Sequence, residues 1–268
     1  MPANALLNRL YTDCPLTVIV AAHPDDETVG AGALLKRLPT AAIVHVTDGA
    51  PRNMTDAIAA GFHTREDYSQ ARRAEAVAAL HLAGISPDQE QSLDFVDQEA
   101  SLDLVRLSRK LAEILDQLKP EVVLTHPYEG GHPDHDATAF ALHAACRLLR
   151  RCKKSSPKIV EFTCYHNRNG SIEVEEFLPS ENSEIKTTKL SESERDFKLK
   201  MIQCYTTQRE TLRVFPIVFE RFRLAPKYDF TVPPHDGRLL YELFDWGMTG
   251  AHWRSLAKQA LEQLDLTN

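Results

Sequence analysis

At 268 residues the chain is long enough for one to two average domains, and a single α/β domain of this size is routine. A composition that is 43% hydrophobic and 26% charged excludes a disordered or fibrous chain, and about 73% of the unfolded surface of a chain this long is buried on folding. The 31 basic residues set against 38 acidic ones give a net charge of −7, which argues against the basic face of a nucleic-acid binder. Five cysteines form no CxxC pair, which points to reduced thiols in a cytoplasmic protein. No stretch approaches the ~20 apolar residues of a membrane span, so a membrane anchor is not expected.

In chain order, Leu16–Ala22 is continuously apolar and β-branched at its centre, the pattern of a parallel strand buried on both faces. Glu27–Leu38 follows as a helix with Ala31, Leu34, Leu35 and Leu38 on one stripe, ended by Pro39. Ala41–Thr47 is a second strand, and Thr64 caps a helix from Arg65 to about Ala83. A weak strand near Ser92–Val96 precedes a helix marked by Leu104, Leu107, Leu111, Ile114, Leu115 and Leu118. Glu121–Thr125 reads as a strand and Ala137–Arg151 as a helix. Lys158–Tyr165 and Ser171–Leu178 read as an antiparallel pair joined through Asn167–Gly170. Ser191 and Glu194 form a capping box for a helix to about Cys204, and Thr249–Leu264 is a terminal helix. Arg209–Trp246 yields no firm element. The expected fold is α/β, a Rossmann-like, mostly parallel sheet flanked by helices, with an antiparallel extension in the C-terminal half. Residues 1–268 are expected to form one domain, with a core at about 15–208 and an extension at about 209–268.

Ligands of an open parallel sheet bind at the carboxyl ends of its strands. One predicted strand runs into His23-Pro24-Asp25-Asp26-Glu27, and another into His126-Pro127-Tyr128-Glu129-Gly130-Gly131-His132-Pro133-Asp134-His135-Asp136. No glycine-rich phosphate loop follows either strand, which excludes a dinucleotide fingerprint. Asp25 or Asp136 alone could be a helix cap. Three imidazoles and three carboxylates brought to one edge, however, require a cation, and this donor set suits Zn²⁺.

AHPDDE (Ala22–Glu27) and GHPDH (Gly131–His135) resemble the two motifs of the PIG-L/LmbE-like zinc-dependent N-deacetylases. Lesser matches are Thr47-Asp48-Gly49, Arg72 with Glu75, and Tyr205-Thr206-Thr207-Gln208, so the resemblance spans roughly residues 15–208. It implies one Zn²⁺ per chain held by His23, Asp26 and His135. It also implies Asp25 as general base, His132 as a cationic acid and oxyanion stabiliser, and Asp134 as a residue that orients a histidine. Asp48, Arg65, Arg72 and Tyr128 are the expected substrate contacts. Ala50 stands where the family often has an acid, and Gly130 where some members have a tyrosine. His45 and Tyr205 read as core residues, and His166, His235 and His252 carry no assignment. The implied activity is removal of the acetyl group from a small N-acetylglucosamine-type conjugate, by a protein that could be a homo-oligomer. The competing readings are a metal-dependent phosphoesterase, which needs two ions about 3.5–4 Å apart, and a non-catalytic carbohydrate-binding homologue.

Overall fold

A computed structural model describes residues 3–180 and 183–267. Five parallel strands, numbered in chain order, form the main sheet from one edge inward: β1 (Thr17–Ala21), β2 (Ala42–Thr47), β3 (Glu90–Phe95), β4 (Val122–Thr125) and β5 (Lys158–Phe162). Two more strands, β8 (Ile185–Lys189) and β9 (Phe219–Leu224), extend it antiparallel in the order β3-β2-β1-β4-β5-β9-β8. β6 (Tyr165–Arg168) and β7 (Ser171–Val174) pair as a separate hairpin. The sheet is therefore mostly parallel, as the sequence predicts.

The β-branched run of β1 alternates between two cores. Val18 and Val20 join Val44, Val46 and Val123 under α5 (Leu104–Leu118), α6 (Pro133–Arg151) and α9 (Gly250–Gln263). Ile19 joins Ile43, Val122 and Leu124 under α1 (Ala3–Thr12), α2 (Asp26–Leu35), α4 (Arg65–Leu82) and α7 (Glu192–Ile202). Burial on both faces explains why these strands read as continuous apolar runs. β1 and β4 are hydrogen-bonded neighbours. The strand order reverses between them, so the crevice outside their carboxyl ends lies at the topological switch point.

Several boundaries differ from the sequence reading. The strand predicted over Lys158–Tyr165 stops at Phe162, because β9 pairs with β5 there and Tyr165 opens the separate hairpin. The helix predicted from Ala137 begins at Pro133, whose missing N–H costs nothing in a first turn, with His132 at the N-cap. The predicted amphipathic helix at Glu27–Leu38 is buried on all sides and kinks at Ala31 (φ −144°, ψ 20°). Glu220 of β9 accepts from the backbone N–H groups of Ala33 (2.7 Å) and Leu34 (3.1 Å) at this kink, and buried Lys198 donates to the Val29 carbonyl (2.7 Å). α1, a short α3 (Thr55–Ala59), β8 and β9 were not foreseen. Among the described residues no helix is long and apolar enough to cross a membrane.

Candidate metal centre and active site

β1 delivers its carboxyl end to Asp25, whose backbone (φ 147°, ψ −26°) lies in a region that favours glycine. Such a conformation costs on the order of 1–3 kcal/mol and persists only when neighbours impose it. Arg72 of α4 supplies one set of restraints: its Nη2 donates to Asp25 Oδ2 (3.0 Å) and the Pro24 carbonyl (3.0 Å), and its Nη1 to the Gly49 carbonyl (3.0 Å). Glu27 supplies another by accepting from the Asp25 backbone N–H (3.3 Å).

Glu27 is itself anchored by the Tyr205 hydroxyl (2.7 Å) and by His45 Nε2 (3.0 Å), whose Nδ1 faces Glu90 (3.3 Å). Burial opposes a charge on His45, but the two flanking carboxylates raise its pKa to about 9. His45 and Tyr205 thus form a buried support beneath the Asp25 turn. Glu27→Gln removes the negative charge opposite His45, and a lost outer-shell partner typically costs 10–100-fold in activity or metal affinity. We expect kcat to fall by that order with the bound-metal content unchanged, measured by steady-state kinetics beside elemental analysis.

The second motif is delivered by β4 and the N-terminus of α6. A Cβ on Gly131 would lie 2.0 Å from the Tyr165 carbonyl oxygen, so Gly131→Ala must push the hairpin strand off the motif. His132 Nδ1 accepts the Asp134 backbone N–H (3.1 Å), which leaves its ring proton on Nε2. Burial, with His23 second, also pushes its pKa well below the ordinary histidine value. In this geometry His132 offers its Nε2–H as a donor, where the family resemblance implies a cation. Asp134 accepts from the backbone N–H groups of Gln98 (2.6 Å) and Ala100 (3.0 Å) and faces His23 Nε2 at 3.4 Å.

The three expected metal ligands converge. His23 Nδ1 lies 3.1 Å from Asp26 Oδ2 and 3.3 Å from His135 Nε2, and His135 Nε2 lies 3.3 Å from Asp26 Oδ1. Ligand atoms about 2.0–2.2 Å from one tetrahedral ion stand roughly 3.3–3.6 Å apart, so separations of 3.1–3.3 Å, with one Asp26 oxygen toward each histidine, are close to what such an ion needs. Buried His23 Nε2 and Asp97 Oδ1 have no hydrogen-bond partner, although they stand 3.1 Å apart. Burial disfavours a charged His23, yet Asp97 and Asp26 hold its pKa well above the ordinary value. The two acids thus favour positive charge at the position of His23.

Asp97, His126 and Cys164 also reach this cluster, and none was singled out from the sequence. Asp97 follows β3 and His126 follows β4, so the rule of strand carboxyl ends reaches both. His126 Nε2 accepts the Ala22 N–H (2.9 Å), which occupies that lone pair. Burial pushes the Cys164 thiol far up and keeps it protonated, which disfavours it as a ligand.

The four expected substrate contacts are otherwise engaged. Arg72 spends both Nη atoms on Asp25 and the two carbonyls. Asp48 and Arg65 bond to each other, and Asp48 also accepts the Ala50 N–H (3.0 Å). Tyr128 is 3% exposed and donates to the Val232 carbonyl (2.9 Å), stacked on Trp253. The covering residues belong to the C-terminal extension, to which the sequence reading gave no role. That extension also walls a cleft of about 330 Å³ with His23, Asp25, Asp26 and His132 on one side and Leu212, Phe215, Phe244 and Trp246 on the other.

The profile of the PIG-L family (GlcNAc-PI de-N-acetylase) matches residues 18–146, the span holding both motifs. Residues 18–146 are thus similar to a PIG-L family domain. The chain is 27% identical over 207 residues to a probable N-acetyl-alpha-D-glucosaminyl L-malate deacetylase 2 of Bacillus subtilis, covering 72% of this chain and 83% of the relative. A deacetylase of teicoplanin biosynthesis superposes with a TM-score of 0.61 at 17% identity, over 80% of this chain and 98% of that one. A 4-carboxy-2-hydroxymuconate hydratase of Pseudomonas putida does so with a TM-score of 0.54 at 19% identity, over 80% and 98%. These superpositions show the fold, which hosts more than one reaction, so the chemistry must be argued from the site.

Proposed function

We propose that the chain is a metal-dependent hydrolase that removes the acetyl group from an N-acetylglucosamine-type conjugate, with Zn²⁺ as the ion. The observation that carries this reading is the His23, Asp26 and His135 donor trio beside the imposed, buried carboxylate of Asp25, within the span similar to a PIG-L family domain. When bound, the ion would polarise the acetyl carbonyl and acidify the attacking water. The donor groups of the cluster overlap through His23 and His135, which favours one ion over the pair a phosphoesterase needs.

Asp25 acts as the base. Burial lifts its pKa to about 7 against the opposing pull of Arg72, so its carboxylate is matched to proton transfer near neutral pH. Arg72 holds Oδ2, and the other oxygen takes the water's proton as the water oxygen bonds to the acetyl carbon. His132, neutral with its proton on Nε2, donates a hydrogen bond to the developing oxyanion. Asp25 then returns the proton to the nitrogen as the C–N bond breaks, yielding acetate and a free amine. Asp134 orients the histidines from its two backbone anchors. We further infer that residues 1–268 fold as one unit, since β9 lies within the main sheet and α9 shares a core with α5 and α6.

Acetate release from N-acetylglucosamine conjugates tests the reading. Chelation is expected to abolish it and added Zn²⁺ to restore it, and activity indifferent to chelator would refute the metal mechanism.

A further inference from the structure

The part of the cleft built by residues 209–268 has a chemistry of its own. Trp246 lies against His132 (ring centroids 4.7 Å apart) and stacks on Phe244 (4.6 Å, 17° between planes). Phe215 contacts Tyr165 (5.9 Å), which in turn contacts His135 (5.1 Å). Both aromatic pairs therefore begin at a site histidine and lead away from it. Phe244 is 43% exposed and its neighbour Leu243 40%, so apolar surface is left open next to the reaction centre. Contiguous exposed apolar surface beside a site commonly marks a ligand contact.

Charge points the same way. Arg72 is the only Lys or Arg among the described residues lining the cleft, and both its Nη atoms are spent. Arg52, on the adjoining shelf, is bound twice by Glu99 (2.7 and 3.2 Å). Arg209, in the groove on the other side, shares it with Asp56, Glu75 and Glu210. Within the cleft itself a carboxylate or phosphate on the substrate would find no cation but Arg72, which is already paired with Asp25.

We propose that Phe215, Phe244 and Trp246 form an aglycone subsite for a neutral, apolar or aromatic group, and that the site selects against anionic conjugates. The proposal rests on the deacetylase reading and names its substrate class. It separates this chain from the relative whose name specifies a malate conjugate, since malate brings two carboxylates.

The test compares phenyl N-acetylglucosaminide, N-acetylglucosaminyl malate and free N-acetylglucosamine on the zinc-loaded enzyme. The phenyl glycoside is expected to exceed the malate conjugate in kcat/KM by about tenfold or more, the upper end of what one aromatic pair supplies. Phe244→Ala should lower the phenyl-to-free-sugar ratio by up to about tenfold and Phe244→Trp should restore it, because the ring is what binds. Independently of turnover, phenyl glucosaminide titrated into the metal-free protein should give a saturable change in tryptophan fluorescence that Phe244→Ala weakens. Preference for the malate conjugate, or a ratio and titration both unmoved by Phe244→Ala, would overturn the subsite. If no conjugate releases acetate while the titration still saturates, the deacetylase reading fails and the aromatic subsite stands.

Discussion

Asp25→Asn is expected to lower kcat by about 10²–10⁴-fold, the usual contribution of a positioned acid–base group, while zinc content stays at the wild-type level. Metal retention follows because Asp25 is outside the His23, Asp26 and His135 trio. The amide is isosteric and can still accept from Arg72, and Arg72 keeps its bonds to the Pro24 and Gly49 carbonyls. The turn is therefore preserved and only the proton acceptor is lost. Single-turnover acetate release, elemental analysis and thermal unfolding on the same preparation separate these effects. Normal turnover would remove Asp25 as the base, and loss of zinc would place it among the ligands. The wild-type pH profile offers a second reading. Asp25 works ionised, burial lifts its pKa to about 7, and a bound cation pulls it down, so the acidic limb is expected at or below about pH 7. The residual activity of Asp25→Asn should lack that limb.

The same site shows how far sequence reasoning reaches. β1, β2 and β4 were legible because strands buried on both faces have to be apolar throughout, and the motifs at their ends followed from the switch-point rule. The convergence of His23, Asp26 and His135 needed only that β1 and β4 be neighbours, as they are. Asp97 was less visible because β3, at the sheet edge, mixes buried, half-buried and exposed positions without a clean period and gives a weak signal. β8 (IKTTK) is an edge strand with little apolar content. β9 (FERFRL) hides its role in buried charges, since Glu220 splints the kink of α2 and Arg223 joins two carboxylates, and pattern rules place such residues outside. Phe244 and Trp246 lie in a stretch with no helical or strand period, so only the folded chain brings them to His132.

Arg223→Met is expected to destabilise the fold by about 3–5 kcal/mol, the cost of breaking a buried ion pair from one side. Arg223 donates to Glu161 (Nε, 2.7 Å), to Glu129 (Nη2, 3.1 Å) and to the Leu178 carbonyl (Nη1, 2.8 Å), and its guanidinium lies over the Phe177 ring. Tyr228 donates its hydroxyl to the other oxygen of Glu161 (2.7 Å), whereas Glu129 Oε2 has no hydrogen-bond partner. Methionine replaces the stem but leaves both carboxylates buried without their cation. The pH dependence has a definite sign. Burial, partly offset by Arg223, raises Glu129 to about 8 and Glu161 to about 6, above the ordinary glutamate value near 4.5. Between those limits the folded state holds more protons than the unfolded state, so the stability linked to these groups is full at low pH and falls as pH rises through the window. Removing Arg223 raises both values further and extends the loss upward. The gap between wild type and Arg223→Met, measured by urea unfolding, should accordingly be larger at pH 8 than at pH 6. An equal gap at both values would mean that lost packing, not unpaired charge, is the cause. Arg223→Lys should recover only part of the stability, because a single ammonium lacks the fork that spans Glu129, Glu161 and the Leu178 carbonyl. Glu129 directly precedes Gly130-Gly131-His132, so this network also holds the loop from which α6 presents His132 and His135 to the cleft.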